Sequence, residues 1–151
     1  MTPTYFSLDR KIDYLLGKIK DIDDDYLRSH IANYVCVLLS GLLESAVREI
    51  ISASSERTSA PRISNFVKSR MEAFRNPDIE KISQLVSSFD KGIADRLSAF
   101  WDEEVKDAIG SIVGNRHLIA HGRDTSVTFS RVSEWHSSAK KLIAFLEAEF
   151  R

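Results

Sequence analysis

The sequence IANYVCVLLSGLLESAVREI, residues 31–50, decides the fold class of this chain. Its apolar side chains recur every three or four residues, which is the period of one face of an α-helix and not of a β-strand. The members of this stripe are Ile31, Val35, Leu38, Leu39, Leu42, Leu43, Ala46 and Ile50. We expect the helix to run from about Tyr26 to Ser52, which is roughly 40 Å and longer than an average globular helix. Such a helix usually forms the centre of a bundle.

The helical period recurs along most of the remaining sequence, and strict alternation of apolar and polar residues is nearly absent. The further periodic segments are residues 5–20, 63–74, 79–100 with a kink near Gly92, 103–122, and a last segment that begins near 130. The chain has only 6 glycines and 3 prolines, about half the average usage, which disfavours turn-rich β architectures. The sequence therefore predicts an all-α bundle of about five to six helices in a single domain, residues 1–151.

Capping chemistry predicts where several helices begin. The acidic run 21–25 supplies carboxylates at the start of the long helix, where they stabilise its N-terminus. Asn76 is predicted to cap the next helix start, with Pro77 at the first helical position. Asp102 and Ser130 are predicted to cap the last two helices.

The predicted helix ends and loops rest on weaker signals. Gly122 is a favourable C-terminal residue for the helix that precedes it. The Ser/Thr-rich segment 52–61 has no apolar period and is predicted to be the main surface loop. The last turn of the chain is charged, and we expect it to fray.

Charge and hydropathy exclude several classes of protein. Hydrophobic residues are 43% and charged residues 28% of the chain, which excludes a disordered tail and a membrane-embedded protein. Lys and Arg number 21 against 22 Asp and Glu, a net charge of −1, so no global field attracts nucleic acid or an anionic membrane. No apolar run approaches membrane-spanning length, and the N-terminal sequence lacks the apolar core of a secretory signal. We expect a cytoplasmic protein.

Cys36 is the only cysteine, within the apolar sequence YVCVLL. A single cysteine excludes an intrachain disulfide and a thiolate zinc cluster. We expect Cys36 to behave as a small buried hydrophobe.

Residues 112–122, IVGNRHLIAHG, break the local rules of a helix that packs on a core. On an ideal helix Arg116 lies about 20° from both Val105 and Ile109 around the axis, in the middle of the apolar stripe. A buried guanidinium needs a partner, water or an anionic ligand, because leaving it unpaired costs several kcal/mol. Alternatively, Arg116 extends its charged end to solvent near the helix C-terminus, where the helix dipole favours a cation.

His117 and His121 share a helix face at i and i+4. This pair could bind zinc, but no Glu follows the first histidine and no third ligand is evident, so we expect no metal and no other cofactor. An arginine beside two histidines suits phosphate chemistry, because arginine binds phosphate with its planar fork and histidine exchanges protons near neutral pH. The structural alternative is that the histidines cap the last helix carbonyls.

Residues 116–121, RHLIAH, match the R-x4–6-H signature of HEPN domains, and residues 115–122 resemble the RN-x-x-AHG form of small prokaryotic members. The sequence SGLLESAVRE, residues 40–49, resembles the RiboL-PSP-HEPN group. This resemblance implies a helical bundle that dimerises with its two motifs facing each other. It also implies a metal-independent endoribonuclease, often a toxin or antiphage effector, whose partners are RNA, a second copy and an antitoxin or other protein. The alternative is a non-catalytic HEPN module that binds RNA, a nucleotide or a partner protein.

The resemblance and the residue chemistry together predict roles for eight side chains. Those predicted to be catalytic are Arg116, His121 and His117; supporting, Glu44, Asn115 and Ser40; RNA-binding, Arg123 and Arg48. For Glu44, an exposed i, i+4 ion pair with Arg48 is the alternative. His30 and His136 have no supporting constellation and are expected to lie on the surface or to pack. We expect Trp101 and Trp135 to be core residues, not base-stacking platforms.

Overall fold

Seven α-helices make up residues 2–151, the part of the chain that the computed structural model describes, and no β-strand occurs there. They are α1 (Thr4–Ile19), α2 (Asp25–Thr58), α3 (Pro61–Glu72), α4 (Ile79–Phe89), α5 (Lys91–Phe100), α6 (Glu103–Ala120) and α7 (Phe129–Glu149). The predicted all-α class is therefore confirmed. The helix count exceeds the predicted five to six because residues 79–100 form two helices.

The division between α4 and α5 is at Asp90, not at the predicted kink near Gly92. Asp90 has an extended backbone, and its side chain accepts a hydrogen bond from the backbone N–H of Ile93 at 3.1 Å. One residue therefore ends α4 and caps α5. Gly92 lies within the first turn of α5.

Helix α2 is longer than predicted and includes most of the segment assigned to a surface loop. It begins after Asp24, whose carboxylate accepts hydrogen bonds from two backbone N–H groups, as the acidic run predicts. It continues to Thr58 because no Gly or Pro occurs before Pro61 and serine and threonine cost a helix little. Ser55 in the last turns is buried, so packing stabilises this extension.

Two predicted helix caps differ from the observed caps by two residues: the cap predicted for α4 is too early and the cap predicted for α7 is too late. Asn76 does not cap α4; it adopts a left-handed backbone with φ of 50°. Asp78 is the cap instead, and its carboxylate accepts a hydrogen bond from the N–H of Lys81 at 2.8 Å. Pro77 therefore lies outside the helix that we expected it to begin.

Thr128, and not Ser130, caps α7 by accepting a hydrogen bond from the N–H of Arg131 at 3.2 Å. Val127 and Val132 on either side of this cap are both buried. These are the two positions of a hydrophobic staple, so apolar burial selects Thr128, the earlier of the two candidate capping residues.

The end of α7 is anchored, which contradicts the expected fraying. Phe150 is buried, and its backbone carbonyl accepts a hydrogen bond from the Arg57 side chain at 2.7 Å. Arg96 of α5 donates to both carboxylate oxygens of Glu149 at 2.6–3.0 Å. These hydrogen bonds from Arg96 lower the pKa of the Glu149 carboxyl from its ordinary value.

The core lies where α1, α6 and α7 pack against α2. Side chains fully shielded from solvent include Ile12, Ile19, Leu39, Leu42, Leu43, Ile109, Ile112, Leu142 and Leu146. Helix α3 packs only at the C-terminal part of α2, where Arg48 reaches the carbonyls of Glu72 and Phe74. None of the described helices is long and apolar enough to cross a bilayer.

His136 packs, as expected, and connects α7 to α1. It is buried, and its Nε2 lies 2.6 Å from Oδ1 of Asp9. Trp135 is also buried, and Trp101 packs against the core while its Nε1–H donates to Oγ of Ser83 at 3.1 Å. Both tryptophans are therefore structural, as predicted.

Candidate functional site

Helix α6 carries the motif of residues 112–122, and local hydrogen bonds fix where the helix begins. The Asp102 carboxylate accepts a hydrogen bond from the N–H of Val105 at 2.8 Å, so the predicted cap is confirmed. The buried side chains of α6 are Val105, Ala108, Ile109 and Ile112. They lie on one face of the helix, and the motif follows directly from them.

Gly122 ends α6 in a Schellman motif, as the sequence predicts. Its φ is 67°, its N–H donates to the carbonyl of Ile119 at 3.0 Å, and the N–H of Arg123 donates to the carbonyl of Leu118 at 2.9 Å. A residue with a Cβ is strained in this left-handed conformation, whereas glycine is not. The motif therefore lies on a well-defined helix end and not on a mobile loop.

His117 and His121 are both exposed on the last turn of α6. Their ring centroids are 4.5 Å apart and the rings are inclined at 60°. The i and i+4 spacing therefore brings two imidazoles into contact at one surface, as predicted. Two adjacent proton-exchanging groups can act on two atoms of one bound molecule.

Arg116 is half-buried, between the two alternatives that the sequence left open. None of the ion pairs formed within residues 2–151 involves Arg116, and none of the side-chain hydrogen bonds there does either. No carboxylate among the described residues therefore neutralises the Arg116 guanidinium. A partly desolvated, unpaired guanidinium is well suited to bind an anionic ligand.

Asn115 and Arg123 flank the motif in different ways. The Asn115 amide donates to the carbonyl of Ser111 at 2.8 Å, so one of its donors is used within α6. Arg123 is exposed directly after the Schellman glycine. Of the two, Arg123 remains available to a ligand.

Glu44 and Arg48 contact each other and the segment after α3, which favours the ion-pair alternative for Glu44. The Glu44 carboxylate contacts Arg48 at 3.2 Å and Arg75 at 3.6 Å, and it accepts a hydrogen bond from the N–H of Asn76. Arg48 donates to the carbonyls of residues 72 and 74 at 3.1 and 2.9 Å. Together they hold the connection between α3 and α4, and within one chain neither contacts Arg116 or a motif histidine.

Ser40 and Cys36 lie one turn apart on the buried face of α2. Ser40 is buried, so it can support the site only through packing. The Cys36 thiol is 3.7 Å from the carbonyl oxygen of Ile112, and burial raises the pKa of this thiol to about 12. Cys36 is therefore a neutral packing residue at physiological pH, as predicted, and not a nucleophile.

A groove of about 530 Å³ lies next to the motif, between the first turns of α2 and the connection from α6 to α7. Its lining includes Gly122 and Arg123 together with Tyr26, His30 and Tyr34. Tyr26 and Tyr34 were not predicted from the sequence to line a site, and no role was predicted for His30. Their spacing of four residues, which places all three on one face of α2, is the signal that could have identified them.

A zinc site needs at least three protein ligands close together. Among residues 2–151, no three His, Cys, Asp or Glu side chains are grouped in the way that a metal site requires. His117 and His121 therefore have no third ligand within one chain.

Comparison with known proteins supports this description of the fold. No curated protein and no solved structure matches the chain significantly. The family model described as RiboL-PSP-HEPN matches residues 4–150, which is nearly the whole sequence. The chain therefore belongs to the RiboL-PSP-HEPN family.

Proposed function

We propose that this protein is a metal-independent endoribonuclease that acts as a dimer. The observation that carries the proposal is the end of α6, where the unpaired Arg116 accompanies the two contacting, exposed imidazoles of His117 and His121. A cation without a protein partner favours an anionic ligand, and two histidines supply both a base and an acid. These three groups are of the chemical types that cleavage of a phosphodiester by its own ribose requires: a base, an acid and a cation.

In the proposed reaction, His121 removes the proton from an RNA 2′-OH, and the 2′-oxygen forms a bond to the adjacent phosphorus. The bond from phosphorus to the 5′-oxygen of the next nucleotide breaks, and protonated His117, or a histidine of the second copy, donates a proton to that oxygen. Arg116 stabilises the negative charge that develops on the non-bridging oxygens. The products are a 2′,3′-cyclic phosphate and a 5′-hydroxyl.

The helix geometry favours a site shared between two copies. Arg116 and His121 are five residues apart, so about 140° separates them around an ideal helix axis. They converge poorly on one phosphate within a single chain. A two-fold axis beside the end of α6 would place Arg116 of one copy opposite His121 of the other.

Mixing two inactive variants tests the shared site. If each site takes Arg116 from one copy and His121 from the other, an Arg116→Ala/His121→Ala mixed dimer contains one intact site and one doubly damaged site. An equal mixture, unfolded and refolded together, should then recover about a quarter of the wild-type cleavage rate. Each variant refolded alone is the control. If the mixture is no more active than the separate variants, the shared site is wrong.

The requirement for a 2′-OH gives the first test of the activity. Purified protein in the presence of EDTA should cleave single-stranded RNA and leave DNA of the same sequence intact, because DNA lacks the nucleophile. Product lengths on a denaturing gel are the measurement. Cleavage that appears only after a divalent cation is added, or equal cleavage of DNA, would contradict the proposed chemistry.

A toxin or antiphage role fits a ribonuclease of this family, and we propose it together with an antitoxin or other partner protein. The net charge of −1 gives little nonspecific attraction to nucleic acid. Selectivity for one RNA, or delivery of the RNA by a partner, then follows. If the protein binds RNA and never cleaves it, the alternative of a non-catalytic binding module replaces this proposal.

A further inference from the structure

The groove beside the motif is rich in exposed aromatic surface. Tyr26 is 76% exposed and Tyr34 is 45% exposed, although tyrosine usually buries much of its surface. The Tyr26 and His30 rings are in edge-to-face contact with centroids 4.4 Å apart, and Lys11 Nζ lies 5.5 Å from the centre of the Tyr34 ring. Three aromatic rings thus follow one face of α2 along the groove.

The groove is held in a defined position relative to the motif. Gly122 and Arg123, which line it, directly follow His121 and are fixed by the Schellman hydrogen bonds. On the opposite side, Oγ1 of Thr125 donates to Oδ1 of Asn33 at 2.7 Å, so the connection after α6 is attached to α2. The groove therefore borders the C-terminal end of α6, directly after His121 in sequence.

The charge of the groove favours a base over a phosphate backbone. Arg123 and Asp124 are the charged residues of its lining, and their charges cancel. Aromatic faces stack on any nucleobase, and carboxylate and amide groups such as those of Asp124 and Asn33 can hydrogen-bond to a base edge. The groups proposed to bind the phosphate, Arg116 and the histidines, are not part of the lining, which meets the end of α6 through Ile119, Gly122 and Arg123.

We infer that this groove binds an unpaired base of the RNA next to the phosphate that is cleaved, so that the substrate is single-stranded or looped RNA. The inference deepens the proposed function and rests on it. A base within a duplex is stacked and paired, and it cannot place its face on Tyr26 or Tyr34. The aromatic residues therefore select the unpaired strand, whereas the motif performs the cleavage.

Binding to an RNA that cannot be cleaved tests the groove independently of catalysis. The probe is a short fluorescent single strand with a 2′-O-methyl group at every position, and anisotropy gives its Kd for the full chain. The double variant Tyr26→Ala/Tyr34→Ala should bind this strand about 10-fold more weakly or worse, because it loses at least one base–aromatic stack. The same oligonucleotide without bases should bind wild type and this variant equally.

Tyr14→Ala is the matched control, because Tyr14 on α1 is also exposed, lies outside the groove and has Lys18 over its ring at 5.6 Å. Its affinity should equal that of wild type.

Unchanged binding by the double variant overturns the inference, and so does a loss of dimer in light scattering, which would assign the tyrosines to a subunit contact. RNA cleavage that continues with an unchanged KM in the double variant refutes the groove and leaves the proposed function intact. Tyrosine-dependent binding without any cleavage refutes the proposed reaction and supports the groove.

Discussion

His121→Ala is expected to slow RNA cleavage by about 10²–10⁴-fold, which is the usual contribution of a positioned general base. The effect should fall on kcat more than on KM, because the imidazole acts on a proton that moves only during the reaction. His121 is exposed, and its ring contacts that of His117, so the free energy of unfolding should change little. Single-turnover cleavage and thermal unfolding together separate these two effects.

Arg116→Ala should reduce the rate by about 10²–10³-fold, because an electrostatic group directed at developing charge typically contributes that much. Arg62→Ala is the matched control: Arg62 is exposed on α3, which packs at the other end of α2. Helix α2 has 34 residues, so its two ends are roughly 50 Å apart. If His121→Ala and Arg116→Ala both cleave RNA as fast as Arg62→Ala, the proposed mechanism is wrong.

Arg48→Ala is expected to lower the free energy of unfolding by about 2–3 kcal/mol, which is typical of lost hydrogen bonds from a charged donor. Its guanidinium donates to the carbonyls of Glu72 and Phe74, where α3 ends, and contacts Glu44. The side chain is largely buried, so solvent replaces these hydrogen bonds poorly. Urea unfolding measures the loss.

Arg75→Ala is the control for the ion pair alone. Arg75 contacts the same Glu44 carboxylate at 3.6 Å from a mostly exposed position, so its loss should cost no more than about 0.5 kcal/mol.

Cleavage per folded molecule should be unchanged in Arg48→Ala. If that variant were fully stable but bound RNA poorly, the RNA-binding role that the sequence suggested for Arg48 would be correct after all.

The helix pattern and the end of α6 could be predicted because local chemistry determines them. The apolar stripe of residues 31–50 specifies α2, the Asp102 carboxylate caps α6, and Gly122 ends it. The contact between His117 and His121 follows from helical spacing alone. These features need no information about other parts of the chain.

The errors arise where distant segments or competing local signals decide the outcome. Residues 52–58 are helical because Ser55 is buried by tertiary packing, which outweighs weak local propensity. The partners of Arg48 are carbonyls at residues 72 and 74, more than twenty positions away, so helical spacing could reveal only its pair with Glu44. Ser130 is a slightly better cap than Thr128 by residue type, but burial of Val127 and Val132 selects Thr128.

The groove illustrates the same limit at the site itself. Tyr26 and Tyr34 lie about ninety residues before the motif in sequence, and only the packing of α2 against α6 brings them next to Arg123. The helical spacing of these tyrosines can be read from the sequence. The sequence does not show which face of α2 stays exposed next to the motif. The candidate site is thus partly local, in Arg116 and the histidines, and partly tertiary, in the aromatic groove.

The most direct measurement uses a DNA strand that contains a single ribonucleotide flanked by unpaired bases, incubated with the protein in EDTA. We predict cleavage only on the 3′ side of that ribonucleotide, with a 2′,3′-cyclic phosphate on one product and a 5′-hydroxyl on the other, and no cleavage by His121→Ala. Mass spectrometry of the products identifies both ends. Cleavage at the deoxynucleotides, or products with a 3′-hydroxyl and a 5′-phosphate, would contradict the account.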